Sequence, residues 1–189
     1  MSVADLQAKK RRGEKIVCVV AWDEGTARTL EAAGVDLISV GDSGAQSLEE
    51  LLVFCAAVRR GAPATVVNCD LPEPSLDAAR QVLAAGADVV KVERIDAVRE
   101  LAAAGIAVFA QIESADEAKA AEEAGAALID FRHSGPEAGA AAVAAVSIPV
   151  LGGLGGGPWL DGRVRAVFKL LDVESYADDV RAGRPVRGD

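Results

Sequence analysis

Val82-Leu83-Ala84-Ala85-Gly86-Ala87-Asp88-Val89-Val90-Lys91-Val92-Glu93 decides the fold. A helical pattern ends at Ala85-Gly86, where glycine accepts the left-handed conformation that stops a helix. A short β-branched run follows at once and closes on two charged residues. The same Ala-Gly ending returns at Ala33-Gly34, Ala104-Gly105 and Ala124-Gly125. The endings at Gly86, Gly105 and Gly125 lie about one βα unit apart, the mark of a repeated module. Eight strand candidates follow from this reading: Lys15–Ala21, Val35–Gly41, Thr65–Asp70, Val89–Glu93, Val108–Glu113, Ala127–Arg132, Pro149–Leu154 and a weaker Val164–Phe168. Helical patterns at Thr26–Ala33, Leu48–Arg60, Leu76–Ala85, Ile95–Ala104, Ala115–Ala124 and Glu137–Ala145 lie between most of them. Ser47 with Glu50 three residues on is a capping box for the second.

Alternating β and α with short connections implies a parallel sheet. Eight units favour a closed (β/α)8 TIM barrel over an open doubly wound sheet. Such barrels usually run to about 250 residues, whereas this chain has 189, so its loops must be trimmed. With no linker in view, residues 1–189 are expected to form a single barrel domain. The tail after Gly183 is expected to fray.

Composition agrees. Apolar residues make up 51% of the chain and aromatics only 4%, so the core is Ala, Val, Leu and Ile. That suits a parallel sheet covered by helices on both faces. The net charge of −9 leaves no basic face for nucleic acid. The run Lys9-Lys10-Arg11-Arg12 reads as a solvated N-terminal helix end. No long apolar stretch or signal peptide is visible, so a cytoplasmic protein without a membrane partner is expected. Cys18, Cys55 and Cys69 have no metal-ligand spacing and read as reduced, packed thiols.

Four runs close on Gly41-Asp42-Ser43, Cys69-Asp70-Leu71-Pro72, Lys91-Val92-Glu93 and Gln111-Ile112-Glu113. In a parallel barrel those ends share the C-terminal face, where active sites are built. Like charges brought together there need a cation or protonation. Asp42, Asp70 and Glu93 are therefore the candidate ligands of Mg²⁺ or another hard divalent cation. One acidic residue at a strand end can instead cap the next helix.

The order and spacing of these pieces resemble the ketopantoate hydroxymethyltransferases, barrels of the phosphoenolpyruvate/pyruvate superfamily. The likeness runs through Ala21-Trp22-Asp23, Ala33-Gly34-Val35-Asp36, Val40-Gly41-Asp42-Ser43, Asp70-Leu71-Pro72, Lys91-Val92-Glu93, Ser147-Ile148-Pro149 and the Gly155-Gly156-Gly157-Pro158 loop. The resemblance implies that Asp42 and Asp70 sit at the metal, with Glu93 nearby. It implies that Ser43 and Lys91 hold a small 2-oxo acid. The implied chemistry removes a C3 proton, stabilises the enolate on Mg²⁺, and adds a one-carbon unit from methylenetetrahydrofolate. A homo-oligomer is likewise implied.

The chain departs from that pattern. Arg132 aligns with the family's catalytic glutamate, and Gln111 replaces a histidine at the end of strand five. Segments after Ser43 and after Glu113 are missing. Either Glu113 or Asp130 is then left as general base, if burial raises its pKa. Arg132 reads either as a bidentate anchor for an extra carboxylate or phosphate, or as a structural ion pair. Gln111 is expected to face the substrate.

Lys91 has three readings: a cation for the substrate, a Schiff-base nucleophile, or an ion pair inside the barrel. His133 reads as an exposed loop histidine or as an acid/base, and Trp22 and Trp159 as pocket walls or as packing. The glycine-rich loop reads as phosphate-binding or as tight packing, and the resemblance favours packing. Hydroxymethyl transfer or a related aldol step is the leading function. A lyase or mutase of the wider superfamily and a catalytically silent barrel are the alternatives.

Overall fold

The computed structural model describes residues 1–41, 47–153, 155–167 and 172–186. Eight parallel strands close into a barrel in chain order. They are β1 (Ile16–Val20), β2 (Leu37–Val40), β3 (Val66–Asp70), β4 (Val89–Val92), β5 (Val108–Ile112), β6 (Leu128–Phe131), β7 (Val150–Gly152) and β8 (Gly162–Ala166). Helices α2 (Glu24–Ala32), α3 (Leu48–Gly61), α4 (Leu76–Ala84), α5 (Ile95–Ala103), α6 (Ala115–Glu123) and α7 (Gly135–Ala145) follow the first six strands. Helix α1 (Val3–Arg11) precedes β1, and α8 (Val173–Arg181) follows β8. Among the described residues no helix is long and apolar enough to cross a membrane.

Local chemistry sets the boundaries. Ser47 caps α3 with the expected reciprocal bonds to Glu50, and Ser75 caps α4 by accepting from Ala78 N. Gly86 ends α4 with φ of 117°, and Gly34, Gly105 and Gly125 take positive φ after their own helices. The Ala-Gly signal therefore marked real helix ends, and the strands start soon after them.

Two apolar layers hold the barrel. Inside lie Ile16, Cys18, Leu37, Val66, Val89, Phe109, Leu128 and Leu151, with Leu6 of α1 buried among them. Outside, alternate strand residues pack against the helices in a larger cluster that includes Cys55 and Cys69. All three thiols are buried and free.

Three expectations are corrected. The run Lys9–Arg12 is not wholly solvated. Lys9 pairs with buried Asp36 at 2.7 Å and Lys10 with Asp161 at 2.9 Å, so half of it pins α1 across the N-terminal end of the barrel. β8 begins two residues earlier than expected, at Gly162. A Cβ there would stand 2.5 Å from the Ile16 carbonyl, so the close pairing to β1 uses a glycine that strand propensity disfavours. Val186, beyond Gly183, is buried rather than frayed. The described residues between β7 and β8 form no helix, and no helical pattern was read there. The chain crosses there in a glycine-rich passage whose backbone packs on backbone: a Cβ on Gly156 would sit 2.7 Å from the Gly152 carbonyl.

Candidate active site

Strand register decides which side chains share the barrel interior. Ser39 pairs with Asn68, Asp70 with Lys91, and Gln111 with Asp130. Parallel register partners point to the same face, so these polar groups form a layer above the apolar interior, toward the C-terminal mouth.

Lys91 is its centre. Its Nζ lies 2.6 Å from Asp70 Oδ2 and 3.3 Å from Asp130 Oδ2. The Lys91 and Asp130 side chains are almost fully buried, while that of Asp70 keeps 22% exposure toward the mouth. Asn68, wholly buried, donates from Nδ2 to Asp70 Oδ1 at 2.7 Å and to Ser39 Oγ at 2.7 Å. The Ser39 hydroxyl itself reaches Asp70 Oδ1 at 3.4 Å. Asp70 also lies against Gly41: a Cβ there would fall 2.0 Å from Asp70 Oδ2, so only glycine fits. Trp22 fixes that neighbour by donating from its indole nitrogen to the Gly41 carbonyl at 2.9 Å.

Burial and charge act in opposite directions here. Burial pushes the Asp70 carboxyl up, outweighing Lys91 and the Asn68 hydrogen bond, which pull it down. Burial works to neutralise Lys91, but Asp70 and Asp130 together overcome it and hold the ammonium above the ordinary lysine range. Arg132 opposes that rise, which places a second cation within electrostatic reach. A lysine held protonated is a poor nucleophile. The Schiff-base reading of Lys91 is accordingly disfavoured, and the ammonium becomes a fixed positive charge.

Glu93 and Gln111 meet at the rim, with Gln111 Nε2 donating to Glu93 Oε1 at 2.7 Å. Two open clefts flank Glu93. One of about 400 Å³ is lined by Leu71, Pro72, Glu73, Pro74, Glu93 and Arg94. The other, of about 270 Å³, includes Gln111, Glu113 and Glu117. Glu113 is exposed, so it lacks the burial that its role as a tuned base requires; Asp130 is buried but ion-paired. Arg132 is half-buried just past β6, its backbone N bonding the Ile112 carbonyl at 3.0 Å.

Of the expected metal ligands, Asp42 lies outside the described residues, as does the substrate-binding candidate Ser43. Asp70 and Glu93 have separate partners, and among the described residues no three of His, Cys, Asp and Glu form a metal-ligating group. His133 is exposed, with φ of 53° in the turn before α7. Trp159 packs on Gly139 of α7 rather than walling the mouth. The glycine loop is tied to the α7 turn, Gly135 N donating to the Gly155 carbonyl at 2.9 Å. Ser39 and Asn68 went unread in the sequence; their signal is polarity at inward positions of otherwise apolar strands.

Comparison with known proteins gives a family. A family model described as ketopantoate hydroxymethyltransferase matches residues 1–115. The 3-methyl-2-oxobutanoate hydroxymethyltransferase of Hyperthermus butylicus is 32% identical over 253 aligned positions, covering 97% of this chain and 88% of that protein. Its counterpart from Geobacillus kaustophilus is 34% identical, covering 86% and 75% respectively. The first alignment has more positions than this chain's 189 residues, so that relative carries segments with no counterpart here. A phosphonopyruvate hydrolase solved with oxalate and Mg²⁺ shares the fold, with a TM-score of 0.67 at 18% identity over 96% of this chain and 85% of its own.

Proposed function

We infer, from the fact that the chain belongs to the ketopantoate hydroxymethyltransferase family, that it is a transferase acting on a small 2-oxo acid through an enolate. Hydroxymethyl transfer from methylenetetrahydrofolate, or a closely related aldol addition, is the reaction. The observation that carries this reading is the Asp70–Lys91–Asp130 cluster at the mouth, an ammonium locked between two carboxylates.

The residues fit a divalent cation. Two carboxylates share one ammonium, and Asp70 offers oxygen donors partly open to the mouth. A hard, anionic oxygen donor such as Asp70 suits Mg²⁺. Asp70 and Asp42 would hold the ion, with Glu93 bonding a water of its shell. When bound, it supplies Lewis acidity toward the keto oxygen and the enolate. The oxalate and Mg²⁺ held by the phosphonopyruvate hydrolase of the same fold support this reading.

The chain's own residues do the rest. Lys91, with Ser43, binds the substrate carboxylate and fixes the plane of the acid. Asp130 holds Lys91 in place. Gln111 positions Glu93 and faces the substrate. We extend the reading to a homo-oligomer of single-domain subunits over residues 1–189, as the resemblance implies.

Incubating the protein with 3-methyl-2-oxobutanoate, methylenetetrahydrofolate and Mg²⁺ tests the reaction. Formation of the hydroxymethylated acid, lost in Asp70→Asn, is the expected result; no product in the presence of folate and metal would refute it. Arg132 favours a second reading. A further cation near Lys91 suits a dianionic acid cleaved or rearranged by lyase or mutase chemistry. Turnover of a 2-oxo dicarboxylate that is lost in Arg132→Met would select that version.

A further inference from the structure

Asn68 is the buried polar side chain whose presence the fold does not need. On the inner face Val66 lies below it, and its register partners are Val89 on β4 and Ser39 on β2. An apolar residue would continue that layer. Instead a wholly buried amide stands there, and its Oδ1 has no hydrogen-bond partner. An unsatisfied buried carbonyl destabilises a fold, so the amide must be held in this orientation for its other end. That end donates at 2.7 Å to Asp70 Oδ1 and at 2.7 Å to Ser39 Oγ. An ionised carboxylate can only accept. Turning the amide over would satisfy nothing at Asp70 and would set two acceptors against each other.

From this geometry we propose that Asn68, assisted by Ser39, is a positioning residue for Asp70. It fixes Oδ1 inward and thereby leaves Oδ2 as the oxygen shared by Lys91 and the mouth. What Asp70 then does rests on the function proposed above; that its orientation is set from beneath does not. Outer partners of a ligating carboxylate typically change metal affinity by about 10- to 100-fold when removed.

Asn68→Leu, similar in volume and without donor or orphan acceptor, tests this in the full-length protein. Mn²⁺ binding is followed by electron paramagnetic resonance, alongside the metal-free thermal midpoint. The proposal expects Mn²⁺ affinity to fall about tenfold or more while the midpoint holds or rises. A purely structural role would lower the midpoint and leave affinity of the folded protein alone. Affinity within twofold of wild type overturns the proposal. Should Asn68→Leu fail to fold, Ser39→Ala is read the same way, with about a threefold loss expected for one hydrogen bond and no loss overturning it. If wild type binds no Mn²⁺, the metal reading falls, and the crystal structure of the folded variant decides. Asp70 freed from its inward orientation supports the positioning role; an unchanged single orientation refutes it.

Discussion

Lys91 carries more of the account than any other residue. It is buried between two carboxylates, so removing it leaves Asp70 and Asp130 without the ammonium they share. Breaking one side of a buried ion cluster typically costs about 3–5 kcal/mol. Lys91→Met is expected to lose stability in that range by urea unfolding at pH 7. The pH dependence has a definite sign. The folded state raises the Lys91 pKa, so its contribution is fully present below the unfolded value of about 10.4 and is lost as pH rises beyond it. Wild type should therefore lose more stability than Lys91→Met between pH 9 and pH 11 (roughly the window around that value). The fixed ammonium also predicts that borohydride with pyruvate leaves the protein mass unchanged; a trapped adduct would restore the Schiff-base reading. At this scale Asp70 and Lys91 were legible, because strand-end charge in a parallel barrel points to its mouth. Asn68 and Ser39 were not, because a polar residue inside a β-branched run looks like strand body. Whether Glu113 or Asp130 is buried was not legible either, because strand period gives the face of a side chain and not its depth; Glu113 is exposed and Asp130 buried.

At the scale of elements, caps and glycines made the sequence readable. Ser75→Ala removes the bond to Ala78 N at 3.1 Å and is expected to cost about 1 kcal/mol, measured as a shift of the urea midpoint. Helix α8 went unread in the pattern, and α1 was read only as a solvated helix end because of its four-residue basic run. Its role became visible only in three dimensions: Leu6 enters the barrel base while Lys9 and Lys10 reach Asp36 and Asp161. Leu6→Ala is expected to cost about 2–5 kcal/mol, as for other fully buried leucines. A loss under about 1 kcal/mol, well below that range, would mean that α1 only rests on the barrel. The misplaced start of β8 has a similar cause. The strand was read only from Val164, whereas Gly162 already pairs with β1 where there is no room for a Cβ.

For the whole molecule, 189 residues close eight strands by shortening everything that does not build the barrel. The glycine-rich passage from β7 to β8 takes the place of a helix, and α1 seals the opposite end. The repeat of Ala-Gly endings made the closed barrel readable, while the economy of the β7–β8 crossing was hidden because glycine-rich loops also bind ligands. The fold leaves one polar layer at the mouth, and the account holds that this layer serves enolate formation. The direct measurement is proton NMR in D₂O with excess Mg²⁺, following the C3 proton of 3-methyl-2-oxobutanoate. Enzyme-dependent exchange that EDTA abolishes and that Asp70→Asn lacks is the expected result. No exchange by the folded wild-type protein, or exchange indifferent to both EDTA and Asp70→Asn, would contradict it.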